Sequence, residues 1–429
     1  MRIEKPVRLS QERGGLSLRA RLYCRSWLRE AVSSGLVLAC IWLAPFDRAD
    51  AVESGLHISL QGKPELVYDP KRDACTPNDI PDVNARAFRA ADGTVTLAAL
   101  HFINRALRGP DLDHLKIDCD IVLNSKQSPD PAEYDGRRFI TSLWSNDGVH
   151  VAALVHNEYH ADHFTGRCAY QGDLPCWYNT ILSFHSDDSG RSFSKSNSLI
   201  VATAPFRQEI GQGRHRGFFN PSNIFADGAY KYAFISTTGW SGQSSGACLF
   251  RNSDPLNSSG WRAFDGNAFS IRYADPYVSK DGAPPPCAAI APFGFPVGAI
   301  VRHRASGTFI AVWEAPKNDS DRPADGFYTS TSRNLVDWTG PRLLVAGRTM
   351  MAGACAADGS GRDGSVVAYP SILDAKAEGR NFDNVGGDAW LYYTAIQVEG
   401  CTPGAKRVLL RRKISIESPA KQATKERRS

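Results

Sequence analysis

The chain has 429 residues, is 42% hydrophobic and carries a formal charge of +5. It can bury a large core, and its length admits two or three domains or one large all-β domain. Nine of its 50 basic and five of its 45 acidic residues fall in positions 1–51; the remaining 41 and 40 nearly cancel, which argues against a nucleic-acid binder.

Residues 1–51 read as a secretory signal peptide. An Arg-rich stretch precedes the apolar run "SSGLVLACIWLAPF", and "ADA" ends at Ala51. The run is too short for a comfortable membrane span, so no stable membrane insertion is expected after cleavage and the location is secreted or periplasmic. Eight cysteines follow the leader: Cys75, Cys119, Cys168, Cys176, Cys248, Cys287, Cys355 and Cys401. An even number in an exported chain predicts disulfides. Sequential pairing is the simplest arrangement, with Cys168–Cys176 closing a short loop.

Past the leader, Gly, Pro and aromatic residues are spread along the chain without a long helical period, which favours many short strands joined by turns. Five strand–Gly-turn–strand units stand out. They are "IPDVNARAFRAADGTVTLAALHF" (80–102), "FITSLWSNDGVHVAALVHNEYH" (139–160), "NPSNIFADGAYKYAFIS" (220–236), "VGAIVRHRASGTFIAVWEAP" (297–316) and "YPSILDAKAEGRNFDNVGGDAWLYYTA" (369–395). Several run on into a second hairpin, as in "YNTILSFHSDDSGRSFSK". A four-stranded unit repeated five times predicts an all-β, five-bladed β-propeller over 52–416. The polar tail 417–429 is expected to be disordered. Within the second unit, "SDDSGRSF" has the Ser-x-Asp-x-Gly-x-x-Phe pattern of an Asp-box. Asp188 would cap a tight hairpin there, Gly190 would take a positive φ and Phe193 would pack between blades; this is a structural motif, not a catalytic one.

In a propeller the inner strands line a central channel, and ligands bind at one of its mouths. The candidate groups are polar residues on the first two strands of each unit. The first unit supplies Asp82, Arg86, His101 and Asn104; the second His156, Glu158 and Tyr159; the third Asn220; the fourth Glu314; the fifth Tyr369. Glu158 and Glu314 close apolar strands, where a carboxyl is costly unless partnered and its pKa tends to rise. A raised-pKa acid opposite an ionised carboxylate is the requirement of glycoside hydrolysis. Asp82, Glu158 and Glu314 are therefore the candidate catalytic set, and the other seven the candidate substrate contacts. Each has a structural alternative: Asp82 as a turn cap, Glu158 as an ion-pair partner of Arg86 or Arg89, Glu314 as a solvent-facing strand end.

The stretch "VHNEYH" also raises a metal reading. On a strand, His156, Glu158 and His160 share one face, but positions i and i+4 lie about 13 Å apart. His156 and His160 would not reach one ion without a sharp bend, so no metal and no cofactor is expected. The blade starts, the inner-strand carboxylates and the Asp-box together resemble the five-bladed glycosidases of the family 43 and family 32 type, with a sialidase-type turn. That resemblance implies a carbohydrate substrate and an Asp on the first blade acting as base, which Asp82 matches in position. It implies a second carboxylate where Glu158 stands, and an acid on the third blade, where this chain has Asn220 and supplies Glu314 one blade later. The alternative is a non-catalytic propeller that binds glycans or protein. A monomer is expected.

Overall fold

The computed structural model describes residues 55–172, 174–208, 215–280, 282–355 and 364–418. The predicted leader 1–51 and the tail from residue 419 lie outside the described residues. Five blades follow one another, each built on four antiparallel strands and entered by its innermost one; a short parallel pairing of Arg216–Gly217 with Tyr178–Asn179 joins the second and third into one ten-stranded sheet. The first blade comprises Pro81–Arg89, Val95–Leu100, Leu107–Gly109 and Lys116–Ile117. The second comprises Arg137–Ser145, Val151–His160, Trp177–Ser186 and Ser194–Ala202. In the third, a broken inner strand (Arg216–Phe219 and Phe225–Asp227) leads to Tyr230–Thr237, Gly246–Asn252 and Arg262–Phe264. The fourth runs Val297–His303, Phe309–Ala315, Gly326–Ser332 and Arg342–Ala346. The fifth takes Ser365–Leu373, Asp388–Glu399 and Thr402–Glu417 from the end of the chain and its outer strand, His57–Tyr68, from the beginning. The fold is the expected five-bladed β-propeller, closed by pairing its first strand with its last.

Period-two alternation explains why the ring closes. On Val151–His160 the odd positions Val151, Ala153 and Val155 pack with Phe88 of the first blade. The even position Leu154 packs with Phe218 and Ile235 of the third. A strand with two apolar faces is what a blade between two neighbours needs. Further clusters join the third blade to the fourth, the fourth to the fifth and the fifth to the first. Four disulfides add local ties: Cys75–Cys119, Cys168–Cys176, Cys248–Cys287 and Cys355–Cys401, the sequential pairing. At the turn after Trp177–Ser186, Asp188 accepts from the backbone N–H of Arg191 and Ser192, and Ser186 Oγ donates to Asp188. Gly190 sits at φ +74°, where a Cβ would meet Phe88 at 2.9 Å.

Inner strands of different blades diverge, so their backbone groups need other partners. Asn side chains provide many. Asn104 donates to Arg138 O and accepts from Ile140 N–H, joining blades one and two. Asn223 makes the same reciprocal pair with Ile300, joining blades three and four. Arg86 does the most. It is 2% exposed, and its guanidinium donates to Thr141 O, Pro221 O and Ser371 Oγ, on blades two, three and five. Beside it lies a cavity whose walls include Leu143, Asn223, Ala299 and Ile372, so that with Arg86 all five blades contribute.

Replacing Arg86 by Met would leave those three acceptors buried and unpaired. We expect a loss of about 3–5 kcal/mol, the range for removing one member of a buried charged network. The change should appear as a lower urea midpoint with an unaltered slope. A loss below about 1 kcal/mol would mean that water replaces the guanidinium.

Candidate functional site

One mouth of the ring collects the starts of inner strands, the ends of second strands and the starts of third strands. Asp82 begins the inner strand of the first blade, and His101 follows the end of that blade's second strand. Arg137 begins the inner strand of blade two, His156, Glu158 and His160 end its second strand, and Trp177 and Asn179 begin its third. His215 precedes the inner strand of blade three. Glu314 ends the second strand of blade four, and Tyr369 lies at a break in pairing on the inner strand of blade five.

Two partly accessible carboxylates sit here. Asp82 accepts from the Tyr369 hydroxyl at 3.0 Å, forms an ion pair with Arg407 and lies 3.4 Å from His101 Nε2. Glu158 accepts from His160 Nε2 at 3.3 Å, with His156 Nδ1 at 3.9 Å. Burial pushes the Glu158 carboxyl up, but the hydrogen bond from His160 and the nearby His156 and Arg137 outweigh it and hold it below the ordinary glutamate range. His101, in contact with Asp82, feels the charges of both carboxylates; burial nevertheless lowers its pKa. Burial also lowers His156, whose Nε2 has no hydrogen-bond partner although the side chains of Asn179 and Asn220 lie near and oppose the shift, and takes His215 down to about 4. Tyr369 is raised well above the phenol range by burial and by Asp82, so its hydroxyl keeps its proton and donates it.

Glu314 occupies a different environment. It is 4% exposed, its Oε1 accepts from the Tyr369 N–H at 3.2 Å and its Oε2 has no hydrogen-bond partner. Burial raises its pKa to about 7, and backbone N–H groups oppose that only in part. Rather than facing solvent at a strand end, it sits beneath the backbone of Tyr369, which it holds at φ +60°.

The structure brings Asp82, His101, His156, Glu158, Asn220 and Tyr369 to this region, with Glu314 below it. Three other candidates have different tasks. Arg86 spends its donors on three blades and pairs with no carboxylate, so it is not the ion-pair partner of Glu158. The Asn104 amide is fully occupied by the backbone of Phe102, Leu123, Arg138 and Ile140. Tyr159 lies on the odd face of its strand, packs beside the Cys168–Cys176 loop and donates its hydroxyl to Pro129 O at 2.9 Å. Alternation alone excludes it from the face carrying His156, Glu158 and His160.

Several groups at the mouth escaped the sequence reading. Arg407 belongs to the third strand of blade five, outside the first two strands searched. Arg137 lies within about 5.5 Å of the Phe102 ring, and its Nε is buried without a partner. Trp177 stacks between His160 at 5.0 Å and His215 at 4.3 Å, and His160 also stacks on His163 at 5.0 Å. Sequence could have flagged Trp177 only through the strand pairing that sets it opposite His160.

No protein-family model matches the chain, and no curated protein matches it. Solved structures similar in fold include a family 117 glycoside hydrolase produced by the marine bacterium Zobellia galactanivorans, at 9% identity over 83% of this chain and 90% of that chain, TM-score 0.46. Another is the α-L-arabinofuranosidase of Podospora anserina, crystallised with cellotriose, at 10% identity over 86% and 100%, TM-score 0.42. A third is a mutant α-L-arabinanase of Cellvibrio cellulosa, at 12% identity over 77% and 91%, TM-score 0.41.

The Glu314 carboxyl gives a pH prediction. Its folded-state value of about 7 lies above the ordinary 4.5, so the folded chain binds the proton more tightly than the unfolded chain. Stability from this group is therefore present below about 4.5, falls as pH rises, and levels off above about 7. The full loss is about 3 kcal/mol. Glu314→Gln, which cannot ionise, should remove this slope, read as the difference in urea stability between pH 5 and pH 8. An unchanged slope would mean that Glu314 ionises freely in the folded chain.

Proposed function

We propose that the chain is an exported glycoside hydrolase whose carbohydrate substrate binds over the mouth formed by blades one, two and five. The observation that carries this reading is the pair Asp82 and Glu158. They are carboxylates of neighbouring blades, both reaching the mouth, and His101 feels the charge of both. Four disulfides suit an oxidising compartment and so support export. No helix among the described residues is long and apolar enough to cross a membrane.

The roles follow from the surroundings. Asp82, paired with Arg407 and hydrogen-bonded by Tyr369, is the carboxylate that takes a proton from the water attacking the anomeric carbon. Glu158, whose carboxyl is held below the ordinary glutamate range, is the acid at a pH low enough to protonate it, and there delivers a proton to the leaving oxygen. His101, His156, Asn179 and Asn220 offer donors and acceptors for sugar hydroxyls. Glu314 acts through Tyr369: by fixing that residue's backbone it aims the hydroxyl at Asp82. It is a positioning residue, because its carboxyl lies out of reach of a substrate.

Two measurements test this. Against a panel of aryl glycosides and plant and algal polysaccharides, the parent should hydrolyse at least one. Asp82→Asn and Glu158→Gln should each lower kcat/KM on it by about 10²–10⁴-fold with the fold intact by circular dichroism. Glycan binding without hydrolysis, unchanged by Glu158→Gln, would instead make the chain a binding propeller.

The pH profile tests Glu158 as the acid. The limb of kcat/KM that falls as pH rises reports the acid of the free enzyme. Glu158 is held below 4.5, so with Glu158 as acid that limb lies in the acidic range. A limb near 7 would exclude Glu158 as the acid.

A further inference from the structure

We infer that the mouth holds a second site, for a divalent transition-metal ion of the zinc type, built from His160, Asp162 and His163. The strand ends at His160, and a single 3-10 turn, Ala161–His163, follows. In a 3-10 turn residues three apart eclipse one another. His163 therefore swings over His160, and the two imidazoles stack at 5.0 Å with Asp162 beside both. This is the sharp bend that a straight strand lacks. It brings together a different trio from the one the strand spacing suggested.

His160 Nδ1, an Asp162 carboxylate oxygen and a His163 ring nitrogen all lie within 4.8 Å of one another. The individual separations are 3.9 Å from His160 Nδ1 to Asp162 Oδ1 and 3.7 Å from His163 Nε2 to Asp162 Oδ2. Both exceed a hydrogen bond. Ligand atoms on one zinc ion, each at about 2.1 Å, stand roughly 3.4 Å apart. Small rotations of the Asp162 carboxylate and the exposed His163 ring would supply the difference.

The independent observation is an unmet polar need. His160 is 91% buried, and neither its Nδ1 nor Asp162 Oδ1 has a hydrogen-bond partner. The other nitrogen of the ring, Nε2, faces Glu158 at 3.3 Å and donates to that carboxylate. In the neutral imidazole this tautomer leaves a bare lone pair on Nδ1, aimed towards a carboxylate oxygen. Two acceptors facing each other in a buried place repel. A cation between them turns that repulsion into two bonds, and Glu158 then has the place of the carboxylate that orients a ligand histidine. Stacking of His160 between His163 and Trp177 fixes the ring plane. Two imidazoles and one carboxylate suit a borderline transition ion rather than calcium or magnesium, and leave coordination positions open for water or a sugar hydroxyl.

The test titrates the chelator-stripped full chain with Zn²⁺ by calorimetry, followed by X-ray absorption at the zinc edge. We expect one ion per chain with a mixed nitrogen and oxygen shell. Asp162→Asn and His163→Ala should each weaken binding at least tenfold while keeping the parent's circular dichroism. His150→Ala, which changes an exposed histidine paired with Asp147, should leave binding unchanged. The zinc-induced rise in Tm should follow the same order, because a ligand that binds only the folded chain raises its stability. Zinc binding weaker than about 100 μM, or tight binding untouched by Asp162→Asn and His163→Ala, would overturn the proposal. The former result would mean that His160 bridges Glu158 and Asp162 without a metal, the latter that zinc binds elsewhere on the chain.

Discussion

Everything in this ring depends on how its inner strands are satisfied. Each blade completes its hydrogen bonds outward, but its innermost edge finds little strand pairing: Val297–His303 and Arg216–Phe219 each pair with a neighbouring segment over two residues only. A buried backbone group without a partner costs about 1–3 kcal/mol, and five such edges converge here. The chain resolves this with side chains that imitate backbone. Asn104 and Asn223 each present an amide that donates to a carbonyl and accepts from an N–H of the next blade. Arg86 gathers acceptors from three blades at once. A buried guanidinium without a carboxylate is ordinarily unfavourable, and burial lowers this one to about 9. The compensation is that its fork geometry matches oxygen acceptors from several directions, which a lysine ammonium on a flexible stem would match less well.

That solution decides where charge can gather. Arg86, Asn84 and Asp82 lie on one face of the same strand, two residues apart. Arg86 is consumed in the ring, Asn84 donates to Pro370 O, and Asp82 emerges at the mouth. The same progression runs along Val151–His160. Leu154 is packed in the wall, His156 is buried at the boundary, and Glu158 and His160 reach the opening. Both strands pass from apolar or backbone-bound residues to ionisable ones over a few positions. The mouth thus acquires its carboxylates without placing an unpaired charge in the core.

Much of this was legible in sequence. Alternation put Asp82 with Arg86 and His156 with Glu158 on common faces. The Gly turns marked five hairpins, and the even cysteine count fitted the pairing observed. What sequence could not supply was the direction in which each face points relative to the axis. Arg86 and Asn104 have the composition of ligand-binding residues, yet their donors are taken by groups on other segments, up to 285 positions away for Arg86 and 34 for Asn104, and no local pattern shows that. Arg407 is hidden for the opposite reason. It sits on a third strand and reaches Asp82 only because the first and last strands close the ring. Tyr159 was a misreading of a rule already in hand, since its odd position sets it against the Cys168–Cys176 loop.

The contrast between the two glutamates shows how environment, not residue type, assigns their chemistry. Glu158 and Glu314 both end apolar strands and read alike in sequence. One meets His160, His156 and Arg137 and is held ionised. The other meets only backbone N–H groups and holds its proton to about 7. Their accessibilities are also reversed relative to their acidity: the ionised group reaches the mouth, and the protonated one lies beneath Tyr369. A carboxyl that keeps its proton yet cannot touch a ligand is suited to holding structure. A carboxylate ringed by imidazoles at an opening is suited to exchanging protons. The aromatic stack of His163, His160, Trp177 and His215 keeps those imidazoles oriented. A change at any ring of that stack therefore reaches Glu158 through His160.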